Sequence, residues 1–172
     1  MGPNPLFTIG YQGSSIGDFR AALEAARIDV VVDVRDVPVS RKPGFSKAAL
    51  AVQLASVDID YLHLKGLGDP KAGRIAARKG RIGDFRRIFA AHLDTREAQA
   101  DLAAAIQAAD HRRACLLCFE RDHHLCHRCI VAARMAHKAG FKLIHLSVHS
   151  GIASHVDHGF ECTHAGASTL VG

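Results

Sequence analysis

The sequence predicts a single three-layer α/β domain, doubly wound, with a mainly parallel, Rossmann-like central sheet of about five strands. Three observations carry this prediction. Short segments rich in Val, Ile and Leu alternate with segments whose apolar residues recur at helical spacing. The segment Asp29 to Val34 is nearly continuous in β-branched residues, the pattern of a central strand covered on both faces. The loops that follow them hold most of the reactive and charged side chains, as expected where ligands bind beyond the carboxyl ends of parallel strands.

The elements follow in order along the 172 residues. Leu6-Phe7-Thr8-Ile9 reads as a buried strand stopped by Gly10-Tyr11-Gln12-Gly13. Ser15 with Asp18 three residues on forms an approximate capping box for a helix whose inner face is Phe19, Ala22, Leu23 and Ala26. Asp29 to Val34 is a second strand, and strand–helix–strand at this spacing implies a βαβ unit with a parallel pair. After the loop Arg35 to Phe45, Ser46 caps a helix with the apolar stripe Leu50, Leu54 and Val57. Tyr61 to Leu64 is a third strand, and Lys65 to Gly83 is basic and glycine-rich without periodicity. Phe85, Ile88, Phe89 and Leu93 mark one helix, and Leu102, Ile106 and Ala109 the next. Ala114 to Phe119 is a fourth strand. A helix opens at or beside Cys126 and closes at Gly140, with Ile130, Ala133 and His137 on one face. Lys142 to Leu146 is a fifth strand, and residues 147–172 form a polar tail containing further His and Cys.

Composition narrows the classes of function. No apolar run approaches the roughly 20 residues that span a bilayer, and the N-terminus has neither a secretory h-region nor a myristoylation context. Four of the five cysteines lie within fifteen residues, which suits a reducing, cytoplasmic compartment better than a spread disulfide framework. The net charge of +5 is compatible with an anionic partner, a phosphate-bearing small molecule or a nucleic acid. Lys71, Arg74, Arg78, Lys79, Arg81, Arg86 and Arg87 crowd into seventeen residues broken by the single acid Asp84, the strongest nucleic-acid footprint in the chain. The same run also reads as a solvated helix face.

The segment Cys118 to Cys129, C-F-E-R-D-H-H-L-C-H-R-C, is the candidate functional centre. Written flat, Cys115-x2-Cys118-x7-Cys126-x2-Cys129 suggests a zinc ribbon, but Cys115 and Cys118 sit three apart in a strand and so point to opposite faces. Cys126 stands at a helix N-terminus, where free N–H groups, His127 and Arg128 favour a thiolate. Cys118 is then a candidate partner thiol and Cys129 a second one, while Cys115 and Cys129 also read as small buried residues. A mixed metal site remains open, built from Cys118 or Cys126 with His123, His124 or His127, and with His155, His158, Cys162 or His164 from the tail. Glu120 and Asp122 are candidate acid–base groups. Asp33-Val34-Arg35 reads either as an internal ion pair or, with Arg41 and Lys42, as an anion-binding edge.

The order and spacing of Thr8-Ile9-Gly10-Tyr11 with Gly13, Asp33-Val34-Arg35 with Pro38 and Ser40, Phe45, Leu67-Gly68, Cys118 with Glu120, and Cys126-His127-Arg128 resemble the bacterial and archaeal family called domain of unknown function 488. The resemblance runs from residue 6 to about 146. It implies a compact α/β domain and a shared site at those positions. Joined to the chemistry of the residues themselves, this gives Cys118, Glu120, Cys126 and His127 as the candidate chemical centre, and Tyr11, Asp33, Arg35, Ser40, Arg41 and Arg128 as candidate binders of the substrate or its anion. It supplies no activity and no cofactor, and it leaves Cys115, Cys129 and the tail outside the pattern. Asp-Val-Arg after a strand is also similar to rhodanese domains. No loop returns from Cys118 to an arginine at the expected distance, because position 124 is histidine. The reading is therefore an enzyme centred on Cys126 and Cys118, with a nucleotide- or nucleic-acid-binding module and a Cys/His metalloprotein as alternatives.

Overall fold

The computed structural model describes residues 4–148, 150 and 156–157. The elements are β1 (Pro5–Gly10), α1 (Ile16–Ala25), β2 (Val30–Asp33), α2 (Lys47–Ala55), β3 (Asp60–His63), α3 (Lys71–Arg78), α4 (Ile82–Leu93), α5 (Arg96–Ala109), β4 (Ala114–Cys118), α6 (His127–Ala139), β5 (Lys142–Leu146) and the two-residue β6 (Val156–Asp157). They form one sheet in the order β3-β2-β4-β1-β5-β6. The first five strands are parallel, as the strand–helix–strand alternation implied, and β6 is antiparallel to β5.

The pleat divides each strand between two apolar layers. Leu6, Val30, Val32, Ala114, Leu116 and Cys118 face a cluster completed by Phe89, Leu102 and Met135 of α4, α5 and α6. Phe7, Val31, Cys115 and Leu117 face the opposite cluster, completed by Phe19, Leu23, Leu50 and Leu54 of α1 and α2. Strand β4 leads to α6 in the first layer, whereas its neighbours β1 and β2 lead to α1 and α2 in the second. The chain therefore parts at the carboxyl end of β4 and opens a crevice there.

The structure departs from the sequence reading at several points. β1 and β2 are parallel but do not pair, because β4 lies between them. Helical spacing cannot reveal which strand a later segment will insert beside. Lys71–Arg78, read as aperiodic, is the helix α3; Gly73 and Ala76 make its buried face, and small residues leave little apolar signal. The inner face of α6 is His127, Arg128, Val131, Ala132 and Met135, not Ile130, Ala133 and His137. Two of those buried residues are basic, which displaced the apolar stripe by one position. Ser46 occupies the cap position of α2 but makes no capping bond; its hydroxyl donates to the Ser40 carbonyl and accepts from the Ser40 amide. Ser15 does cap, accepting from the Asp18 amide while donating to its carboxylate. The histidines and Cys162 of the tail lie outside the described residues.

Candidate active site

Cys118 is the last residue of β4 and Cys126 is the N-cap of α6. Their sulfurs are in contact, with the Cα atoms 7.5 Å apart. Cys115 lies in the opposite apolar layer, fully buried and free, its thiol held protonated by burial. This separation removes the four-cysteine reading, as the strand pleat required. Cys129 is buried on α6, one turn beyond the cap.

Each sulfur has a polar setting. Cys126 Sγ accepts from the Arg128 amide at 3.4 Å, the capping bond that a serine oxygen makes elsewhere. It lies 3.8 Å from His127 Nδ1. On the far side of that ring Nε2 is 2.7 Å from the Val34 carbonyl, which only accepts, so Nε2 carries the hydrogen. Burial lowers the His127 pKa and keeps the ring neutral. The Nδ1 lone pair is consequently directed at Cys126, with Val34 orienting the base.

Arg128 is the central cation of the site, 1% exposed. Its Nη1 donates to Cys118 Sγ at 2.8 Å and to the Glu120 carbonyl, its Nη2 to the Arg121 carbonyl at 3.2 Å, and its Nε to Thr8 Oγ1 at 3.2 Å. Thr8 lies 2.7 Å from His145 Nδ1, and burial pushes His145 down to about 3. No carboxylate among the described residues forms an ion pair with Arg128. Burial lowers its own pKa to about 10. The loop that receives these bonds crosses the end of β1, where any side chain at Gly10 would collide with the Glu120 carbonyl.

Next to the sulfurs opens a cleft of about 570 Å³, whose lining includes Glu120 and His127 but neither cysteine. One wall is the loop after β2, with Asp36, Val37, Val39, Ser40, Arg41 and Lys42; facing it are Asp69 and Arg74 beside and within α3; Tyr11, Arg35, Phe119, Glu120 and His127 complete the lining. Tyr11 stacks on Phe45 and meets Phe119 edge-on. Ser40 Oγ accepts from the Lys42 amide, which orders the turn that presents Arg41.

The structure thus brings together Tyr11, Ser40, Arg41, Glu120 and His127 in the cleft lining, with Cys118, Cys126 and Arg128 buried next to Glu120 and His127. Arg35 touches the cleft, but its guanidinium is committed to Asp33 by two bonds of 2.8 and 2.6 Å, to the Tyr11 hydroxyl and to the Phe45 carbonyl. Asp33 also accepts from the Tyr61 hydroxyl at 2.6 Å and is fully buried, so Asp33–Arg35 is the ion-pair alternative of the sequence reading. Burial and Asp33 together hold the Tyr61 phenol protonated. For Arg35, burial opposes the charge but Asp33 outweighs it, a net upward shift.

Asp69 was missed. It is 7% exposed, its Oδ1 has no hydrogen-bond partner among the described residues, and burial, with Arg74 opposing and Glu120 and Asp36 adding, raises its pKa to about 7. Its only trace in the sequence is Asp-Pro opening a helix whose periodicity was itself illegible. Donor atoms of Cys118, Glu120 and Cys126 lie within 4.8 Å of one another, a set able to hold a thiophilic ion, and Asp122, His123 and His124 form a second such set.

Fold and site define an α/β protein with a cysteine pair next to a cleft at the carboxyl edge of a parallel sheet. The family model described as domain of unknown function DUF488 matches residues 15–135, and the chain belongs to that family. No curated protein and no solved structure matches it. Among the described residues no helix is long and apolar enough to cross a membrane.

Proposed function

We propose that the protein is an enzyme whose reactive group is the Cys126 thiolate, with Cys118 as its partner, acting on a phosphate-bearing substrate held in the cleft next to them. One observation carries this reading. Arg128 is a buried cation with no ion-pair partner among the described residues, and one of its nitrogens lies 2.8 Å from Cys118 Sγ. Burying an unpaired guanidinium costs several kcal/mol. A thiolate at the sulfur pair supplies the missing charge, and the α6 N-terminus favours it further.

In this reading His127 Nδ1 takes the Cys126 proton, and Cys118 is the partner thiol in contact with it. Glu120 is a carboxylate beside the sulfurs, and Asp69 is a carboxyl at the same cleft whose pKa burial raises to about 7. Arg41 and Lys42 stand on the lip with no ion-pair partner among the described residues and are the anion-binding groups.

The test is the iodoacetamide alkylation rate of the reduced protein against pH, with the modified cysteine identified by peptide mass. Cys126 should reach half-maximal reactivity below about pH 8, the range of activated thiols. A Cys126 that stays unreactive at pH 8 refutes the enzyme. The donor set of Cys118, Glu120 and Cys126 supports a second reading, a bound thiophilic metal. Metal analysis of untagged protein purified without nickel decides it: about one ion per chain, lost in Cys118→Ser, establishes the metal reading.

A further inference from the structure

We propose that the substrate of this cleft is a nucleotide within single-stranded nucleic acid, held by its phosphates on the α3–α4 surface while one base enters the cleft against Phe119. The proposal rests on the cleft being the site of reaction and narrows the substrate class that it takes.

The first observation is where the charge sits. Residues 71–87 hold seven of the 22 Lys and Arg residues but one of the 17 acids, so the remainder of the chain has 15 cations against 16 acids. The whole positive balance belongs to α3, the turn after it and the first half of α4. A merely solvated helical face would interleave acids at i+3 and i+4. Here Asp84 alone does so, pairing loosely with Arg81 and Arg87. Lys71, Arg78 and Lys79 are exposed and have no ion-pair partner among the described residues.

The second observation is that this surface is continuous with the cleft. Helical spacing places Lys71, Arg74 and Arg78 on one stripe of α3. Arg74 is at once a member of the stripe and a wall of the cleft, where it is bound to Asp36 and to the Asp69 carbonyl. At 1.5 Å per residue α3 carries the cationic track about 6 Å past Arg74 to Arg78, and the turn and α4 continue it. A free mononucleotide with its phosphate on Arg41 and Lys42 would not reach it; a strand would follow it.

The third observation is the cleft's apolar wall. Val37, Val39 and Phe119 are 57%, 71% and 46% exposed, among the large apolar side chains that the surface leaves uncovered, and Tyr11 backs the Phe119 ring. Such a wall does nothing for a phosphate but offers a π-face to a base, the sequence-tolerant contact of single-strand binders. A duplex would first have to expel that base from its stack, whereas a single strand presents it at little cost.

Anisotropy of a fluorescein-labelled 12-nucleotide single strand, titrated with reduced protein between 50 and 300 mM KCl, tests the proposal. We expect log Kd to rise with log salt at a slope of about 2 to 3, at roughly 0.7 per phosphate contacted. The exposed triple variant Arg78→Ala, Lys79→Ala, Arg81→Ala should lower that slope by at least 1 and weaken binding tenfold or more at 50 mM. Phe119→Ala should weaken binding at least fivefold with the slope unchanged, and the oligonucleotide, but not equimolar AMP, should slow alkylation of Cys126. Absence of binding at 50 mM, a slope unmoved by the triple variant, a neutral Phe119→Ala, or equal affinity for a 12-base-pair duplex each overturns it. Should Cys126 itself be unreactive, the enzyme reading falls while the slope and Phe119 results still decide this inference.

Discussion

Replacing Arg128 by methionine removes the buried cation that donates to Cys118 while retaining an unbranched side chain. Its Nη1 lies 2.8 Å from Cys118 Sγ, but the charge is spread over the guanidinium, so the effective separation is about 4 Å. At an effective dielectric of 20 that interaction is about 4 kcal/mol. The Glu120 carboxylate beside the sulfurs acts in the opposite sense, and halving the term for it leaves about 2 kcal/mol, or roughly 1.5 pH units. Arg128→Met should therefore move the alkylation midpoint of the reactive thiol upward by that amount and slow reaction at pH 7 about 30-fold. Folding stability should change little by comparison. Four donated bonds are lost, to Thr8, Cys118 and the carbonyls of Glu120 and Arg121, at about 1 kcal/mol for each acceptor left alone. Removing the desolvation penalty of a buried cation offsets much of this. Arg128→Lys keeps the charge but cannot span four acceptors, and should recover part of the shift. The assay is iodoacetamide alkylation against pH with urea denaturation in parallel. A midpoint that moves by less than half a unit in Arg128→Met, in a folded protein, refutes the argument that Arg128 is the counter-ion of a thiolate.

Three further outcomes are expected. Asp69 has its folded pKa raised to about 7 from an ordinary value near 3.8, chiefly by burial, so the folded state holds the proton more tightly than the unfolded chain. Stability should then fall as pH rises from about 4 to about 7, by roughly 2 kcal/mol once the shift is discounted for relaxation, and Asp69→Asn should abolish the decline in urea titrations at pH 4.5 and 7.5. Gly10→Ala places a methyl group against the Glu120 carbonyl, and should cost about 1–3 kcal/mol or push the 119–122 loop off the sulfurs, read as a lowered Tm together with slower Cys126 alkylation. Asp33→Asn leaves the buried Arg35 without its countercharge and should lower stability by about 3–5 kcal/mol in chemical denaturation; a loss below 1 kcal/mol would show that the Tyr11 and Phe45 bonds suffice.

Much of this architecture is legible along the chain. Short apolar segments marked five strands, the second of them read as covered on both faces, and all five proved parallel, with β2 and β4 fully buried and β3 only partly so. The strand period of two was enough to set Cys115 apart from Cys118, and the two sulfurs do lie in opposite layers. What escaped was carried by residues with little apolar signal or by pairing between distant segments. Gly73 and Ala76 hide the inner face of α3, two buried basic residues shift the stripe of α6, and nothing between β1 and β2 announces that β4 will lie between them.

The same division holds for the candidate site. Local chemistry, a thiol at a helix start, a second thiol at a strand end and a basic loop after a central strand, is written in neighbouring residues and was determined by the sequence alone. The tertiary structure decided which of these groups face one another, since that depends on strand order and on which layer each helix joins. It committed Arg35 to Asp33 and carried Arg128 inward to Cys118. It also buried Asp69 beside Glu120 at the cleft, because the energy of a charge is set by the partners and the dielectric around it, and neither is a property of the residue's neighbours in the chain.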